Sequence, residues 1–311
     1  MSSGSIRKIL DSFSFKQLLR TPNSELRTGM LTRRLFLRYL LGLPLLSSFS
    51  LSLPKSWADS HVLPNIGGNS IGKFFKGEEL SYEVGVWLFK RVGLGKLSFK
   101  ETGEKGRYLA TVQGETLGVL GWVARYRVDT YRSVMEEVEG GKRLRSVSFE
   151  ENVKVGDKVR RRTHFFDYQK RKWIKVRERK DGTKVRTEEE IPPGMVYDDF
   201  ITASYNFRYG VYGKVERGRK YVVATFPKKG PSSYEVRVAS KEEEEKKRKS
   251  EKIKEGKEYY VKLFLDAEIT HSKEGLIEGW LSKELYPVEG MVKDVILFGD
   301  VKGTLIKNSR G

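Results

Sequence analysis

Leu80-Ser81-Tyr82-Glu83-Val84-Gly85-Val86 sets Leu80, Tyr82, Val84 and Val86 on one side of an extended chain, with Ser81, Glu83 and Gly85 between them. A period of two is that of a strand with one buried face. Working forward, Gly93 to Gly95 predicts a turn, and Leu97 and Phe99 begin a return strand. Gly103 to Gly106 then turns into Tyr108, Ala110 and Val112. The expectation is an antiparallel meander.

The same pattern continues to the end of the chain. Residues 117–124 are apolar but broken by glycine, which suits a buried loop or a short helix. Strand patterns resume at Tyr126, Val128 and Thr130, then over 144–149, 159–166 and 173–178, with Asp181-Gly182 as a tight hairpin turn. Pro192-Pro193-Gly194 ends that run. Asp198 is then placed to cap a helix over 199–208, with Ile201 and Tyr205 on one face. Further strands are predicted over 221–226, 234–238, 259–269, 276–281 and 288–306. Between them, residues 241–255 are an acidic block followed by a basic one, the pattern of a solvated helix on a mobile excursion. No repeat of solenoid or propeller length is present. The fold class expected is mainly β: a curved, mostly antiparallel sheet or half-open barrel crossed by one principal helix.

Ahead of this domain, Thr32-Arg33-Arg34-Leu35-Phe36-Leu37-Arg38 precedes an uncharged run over 39–54 and then Lys55-Ser56-Trp57-Ala58. Two arginines before Phe-Leu, a moderate apolar run and a small-x-small site resemble a bacterial twin-arginine signal peptide. A permanent anchor would need about 20 apolar residues, and this shorter run contains Pro44 and several serines. The domain plan is therefore an N-terminal extension and signal over 1–58, with Met30 as an alternative start. A flexible linker over 59–76 follows, then a single β-rich domain over 77–311 with a charged insertion near 241–255. The expected location is outside the cytosol, in the periplasm or beyond.

Composition excludes whole classes of chemistry. The 311 residues contain no cysteine, so disulfides, zinc ribbons, iron–sulfur clusters and thiol catalysis are ruled out. The formal charge is +19, and because the first 58 residues hold nine Lys/Arg against two acids, the remainder is about +12. Scarce Asn and Gln beside abundant Lys, Glu, Arg, Tyr and Val is a balance common in thermophile proteins.

Several stretches, taken in order, resemble the bacterial domain-of-unknown-function family 3108. They are Gly77-Glu78-Glu79-Leu80-Ser81-Tyr82-Glu83-Val84, Tyr126-Arg127-Val128-Asp129-Thr130-Tyr131 and Arg161-Arg162-Thr163-His164-Phe165-Phe166-Asp167. Asp198-Asp199-Phe200 leading to Tyr205-Asn206-Phe207-Arg208, and Trp280-Leu281-Ser282-Lys283-Glu284 before Tyr286-Pro287-Val288 and then residues 299–305, complete the set. The likeness covers nearly all of the chain after the signal, although the charged block at 241–255 is longer than the family's usual connection. It implies an exported protein with a curved sheet crossed by a helix, similar to envelope proteins that hold lipids or lipoproteins. That last likeness is one of fold alone.

No residue set commits to catalysis. His61, His164 and His271 lack metal-ligand spacing, so no metal or other cofactor is expected. Gly93-Leu94-Gly95-Lys96 is too short for a phosphate loop. Asp198 and Asp199 can form an acid/base pair but read better as helix caps. The basic run over 158–180 interleaves Arg160, Arg162, Lys170, Arg171 and Lys172 with aromatics. In the cytosol that mixture would suit nucleic acid. Export favours an anionic envelope partner instead, while a salt-bridged hairpin explains the same charges.

Trp87, Phe99, Trp122, Tyr126, Tyr131, Phe207 and Trp280 fall at or beside predicted inward positions. They read first as core and second as the lining of an apolar cleft between sheet and helix. The function expected is non-catalytic binding of an amphipathic anion such as lipid, with membrane contact only during export or peripherally. The alternatives are an enzyme acting on envelope polymers through Asp167, Asp198 or Asp199, and an assembly partner that uses sheet edges.

Overall fold

Period-two burial builds nearly everything in the computed structural model, which describes residues 69–86, 89–179, 181–226, 233–251, 253, 255–265, 267–270, 272–295 and 299–310. The predicted signal, the first part of the predicted linker, Trp87, His61 and His271 lie outside these residues. The strands before the long helix are β1 (Glu78–Val86), β2 (Phe89–Glu101), β3 (Arg107–Thr116), β4 (Val128–Val138), β5 (Arg143–Val155), β6 (Lys158–Asp167), β7 (Lys172–Glu178) and β8 (Lys184–Glu190). After it come β9 (Lys220–Ala224), β10 (Ser233–Val238), β11 (Tyr259–Phe264), β12 (Leu276–Leu281), β13 (Pro287–Val295) and β14 (Gly299–Arg310). The helices are α1 (Ile71–Phe75), α2 (Gly118–Val123), α3 (Phe200–Tyr209), α4 (Lys241–Glu251) and α5 (Ala267–Thr270).

All fourteen strands pair antiparallel in one sheet, in the order β8 to β1 and then β14 to β9. The chain lays down β1–β8 outward in one direction, crosses through α3 to the opposite edge, and returns from β9 until β14 meets β1. The edges are therefore β8 and β9, and the sheet is open. Ser204 alone in α3 is exposed, because both halves of the sheet curve onto this helix. Ile201, Tyr205 and Tyr209 pack with Phe99, Met135, Leu144 and Phe149 on one side. Ala203 meets Val223, Tyr234 and Leu265 on the other, and Phe207 meets Tyr221, Val238 and Leu281. Beyond β9, Phe226 sits 5.4 Å from the ring of Phe166 and 5.5 Å from that of Trp173. The Asp198 N–H donates to the Ala224 carbonyl at 3.1 Å. One edge of the sheet is thus drawn toward the far side without completing a ladder. The other edge, β8, exposes Lys184, Arg186, Glu188, Glu189 and Glu190, a charged border that resists pairing with another chain.

A buried ion pair ties α3 to β1. Arg208 donates to both oxygens of Glu78 at 2.7 and 2.6 Å and to the Leu285 carbonyl at 2.9 Å. Its guanidinium lies 4.8 Å from the centre of the Phe75 ring and 5.3 Å from that of Tyr205.

The structure departs from the sequence reading in six places. Residues 71–75 are a helix rather than linker, because Ile71 and Phe75 complete the main core at 0 and 1% exposure. Gly72 lets this helix lie on Tyr108, whose ring would be 2.1 Å from any Cβ there. Gly93 and Gly95 lie inside β2 and make no turn. At Gly93 the Glu115 carbonyl approaches to 2.5 Å of where a Cβ would stand, so the glycine serves close strand packing. Asp199, and not Asp198, caps α3, accepting from the N–H groups of Ile201 and Thr202. The pattern over 259–269 ends as strand at Phe264 and turns into α5, and the run over 288–306 divides between β13 and β14. Finally, the charged insertion is α4, anchored to the sheet. Glu244 accepts from Arg217 at 2.9 Å and Arg248 at 3.0 Å, and Arg248 lies 4.6 Å over the Trp280 ring.

Candidate functional site

The carboxylates that suggested catalysis are committed to holding α3. Asp199 Oδ1 accepts the Ile201 and Thr202 N–H groups at 2.9 and 3.1 Å, so it satisfies two of the helix's first amides. Its Oδ2 accepts the hydroxyls of Ser133, Ser146 and Thr202 at 2.6, 2.7 and 2.8 Å. Asp198 Oδ2 accepts from Arg143 at 2.8 Å, from Tyr212 at 2.5 Å and from Asn206 at 3.1 Å. Burial pushes the Asp198 carboxyl above the ordinary range against the pull of Arg143. Asn206 also exchanges two hydrogen bonds with the backbone of Leu144, at 2.9 and 2.8 Å. Asp167 accepts the Lys170 N–H in a surface turn, and that bond lowers its pKa. His164 is a buried acceptor for the Trp173 indole at 3.1 Å, and among the described residues no metal-holding cluster occurs.

The surface chemistry collects at one end of the sheet. Register runs from Glu115 at the end of β3 to Val128 at the start of β4, then to Lys154 near the end of β5, then to Val159 at the start of β6. The short helix α2 caps this rim, held to β2 by the Leu117 N–H donating to the Val92 carbonyl at 2.7 Å. Six residues without a polar face cannot bury their apolar side chains on one side only. Val119 is 80% exposed, Trp122 70% and Tyr126 59%, with Val123 and Phe89 also exposed. Around them stand the exposed cations Lys90, Arg91, Arg125, Lys154, Lys158 and Arg160, none of which forms an ion pair among the described residues. The exposed acid in this group is Asp157. The Gly156 N–H donates to the Arg125 carbonyl at 2.7 Å, which joins the helix to the β5–β6 turn.

The predicted ligand residues therefore separate. Trp122, Tyr126 and Arg160 come together at the rim, although Trp122 and Tyr126 are exposed and not inward-facing as expected. Phe99 is fully buried, 4.7 Å from the Tyr205 ring, and Phe207 packs on Tyr221 in a different cluster. Tyr131 is half-buried against Phe149 and Phe200. Trp280 faces away from α3 and lies with Tyr260 under α4, so it lines no space between sheet and central helix. Among the anion candidates, Arg162 sits 3.9 Å from Glu151. Lys170, Arg171 and Lys172 line a hollow of about 380 Å³ with Glu188, Glu189 and Glu190. There Arg171 pairs with Glu190, Lys172 pairs with Glu188 at 3.0 Å, and Lys170 pairs with Asp167 at 3.5 Å. A second open hollow of about 380 Å³ on the outer face of β2–β4 holds Lys96, Lys100 and Arg132. Glu79 lies 3.3 and 3.7 Å from the two lysines, and Glu150 lies 3.8 Å from Arg132. The rim thus differs from both hollows in leaving its cations uncompensated. Sequence reasoning missed Phe89, Val119, Val123, Lys90, Arg91, Arg125 and Lys154, and gave Lys158 only as the start of the basic run. The available signal was an apolar run too short for a core helix, followed at once by arginines.

A family model described as "Protein of unknown function (DUF3108)" matches residues 81–306. No curated protein matches the chain. Among solved structures, a β-barrel-like protein of the domain of unknown function DUF1849 from Brucella abortus is similar over 76% of this chain and 98% of its own. The identity is 10% and the TM-score 0.39.

Proposed function

Because the chain belongs to the DUF3108 family of proteins of unknown function, we propose its role from its own surface: a non-catalytic protein, working outside the cytosol, that binds an amphipathic anionic partner. The observation that carries this reading is the rim, where exposed Trp122, Tyr126 and Phe89 adjoin six cations that form no ion pair among the described residues. Aromatic groups beside uncompensated cations suit a molecule with an apolar part and a negative head. The commitment of Asp198 and Asp199 to helix capping and packing supports binding over catalysis. Native mass spectrometry of gently purified protein, before and after exposure to an envelope lipid extract, tests it. Adducts of anionic lipid mass are expected, and protein free of lipid in both samples would argue against the proposal.

A second reading, assembly with another protein by strand addition, is favoured by the short edge strand β9, whose Val222 is 50% exposed. Pull-downs that return one protein and no lipid would select it.

A further inference from the structure

We infer that the rim is a foot that docks on the surface of an anionic phospholipid bilayer, holding lipids by their headgroups and not in an enclosed pocket. This rests on the binding role proposed above and narrows its partner. Three observations carry it.

The first is shape. Val119, Trp122 and Val123 of α2 all project to solvent, as an apolar face that sinks into the headgroup boundary requires. An extracted acyl chain needs an enclosed, mostly apolar pocket of about 300–1,000 Å³. Between sheet and α3 the rings are instead in contact, Phe75 and Phe99 lying 4.8 and 4.7 Å from Tyr205. The two hollows described above are open and carry charged side chains, Lys96, Lys100 and Arg132 in one and six charged residues in the other.

The second observation is charge. Lys90, Arg91, Arg125, Lys154, Lys158 and Arg160 stand on the strand ends and turns beside the apolar group, with Asp157 and the half-buried Glu115 as the acids there. Each cation near an anionic leaflet strengthens binding by about fivefold. Trp and Tyr, apolar at one end and polar at the other, settle at headgroup level.

Strain is the third. Arg91, Arg125 and Tyr126 have φ of 53°, 58° and 48°, a left-handed region that non-glycine residues avoid. The Tyr126 N–H bond to the Gly121 carbonyl at 2.6 Å and the Thr116 N–H bond to the Arg127 carbonyl at 3.0 Å hold this shape. Glu139, Arg171, Leu285 and Asp294 share this conformation singly elsewhere, so what points to a site is the gathering of three such residues beside exposed aromatics.

The test is co-sedimentation of the purified protein with phosphatidylcholine vesicles, with and without phosphatidylglycerol. Binding is expected with phosphatidylglycerol, weakening as salt rises, and falling about tenfold in Trp122→Ser. In a background with Trp57 and Trp87 replaced by Phe, brominated lipid should quench tryptophan emission when Trp122 is present and not in Trp122→Phe, since Trp173 and Trp280 are buried at 3 and 2% exposure. Equal binding to neutral vesicles, or binding untouched by Trp122→Ser, overturns the foot. Absence of vesicle binding, with lipid still carried by the protein in native mass spectrometry, overturns the foot and leaves the binding role. Absence of both removes the two together.

Discussion

Replacing Glu78 by Gln isolates the contact that joins the central helix to the middle of the sheet. In the wild type the Arg208 guanidinium gives two bonds to Glu78 and one to the Leu285 carbonyl, with both side chains at 2% exposure or less. Glutamine keeps the shape and one acceptor but leaves the arginine charge buried between Phe75 and Tyr205 without its counter-ion. Breaking a buried pair by removing one partner costs about 3–5 kcal/mol. That is a large share of a fold whose whole stability is on the order of 5–15 kcal/mol. For a domain of this size it corresponds to about 6–20 °C in Tm. Urea denaturation followed by tryptophan fluorescence reads the loss. Removing both charges in Glu78→Met/Arg208→Met should recover most of it, because the desolvation cost disappears with the ions. A single-variant loss under about 1 kcal/mol, or a double variant as unstable as the two single losses added, would refute the reasoning.

The buried Asp198 gives a pH signature. Burial, against the pull of Arg143, raises its carboxyl, so the folded state holds this proton more tightly than the unfolded chain. Stability from this group is then present below the ordinary Asp pKa of about 4 and is lost as pH rises through the raised folded value. The urea midpoint of Asp198→Asn relative to wild type should therefore climb from about pH 4 toward neutrality, and a flat difference would count against it. Glu244→Ala should cost about 2 kcal/mol and shift Trp280 emission to the red as α4 loosens; unchanged emission would show that the helix does not depend on its ion pairs. Phe75→Ala should cost about 3–5 kcal/mol, and a variant as stable as wild type in thermal melts would return residues 71–75 to the linker.

Much of the sheet was legible because its evidence is local. Alternation at Leu80 and Tyr82, the Asp181-Gly182 turn and the Pro192-Pro193-Gly194 stop each act within a few residues. What could not be read depends on partners far along the chain. A glycine at 93 is equally good for a turn or for close packing, and only the Glu115 carbonyl, brought near by β3, decides between them. Ile71 and Phe75 make a single pair at helical spacing amid glycine and serine, too little to register before Phe99 and Tyr205 are placed around them. Trp280 and Leu281 are neighbours on opposite faces of β12, and only the position of α4 shows which face receives the tryptophan. The candidate site was half legible for a similar reason. Trp122, Tyr126 and Arg160 were visible as residue types, but the rim that unites them is a product of register across β3–β6. The hairpin cations looked equivalent until β8 supplied their acids.

Vesicle binding by two charge variants tests that distinction directly. Lys154→Gln/Lys158→Gln/Arg160→Gln removes three rim cations, and Lys170→Gln/Arg171→Gln/Lys172→Gln removes three hairpin cations that already have acidic partners. On phosphatidylglycerol vesicles the rim variant should bind about 100-fold more weakly than wild type, from about fivefold per cation, and the hairpin variant within about threefold of it. Equal losses in both, or a larger loss in the hairpin variant, would contradict the assignment of the site to the rim.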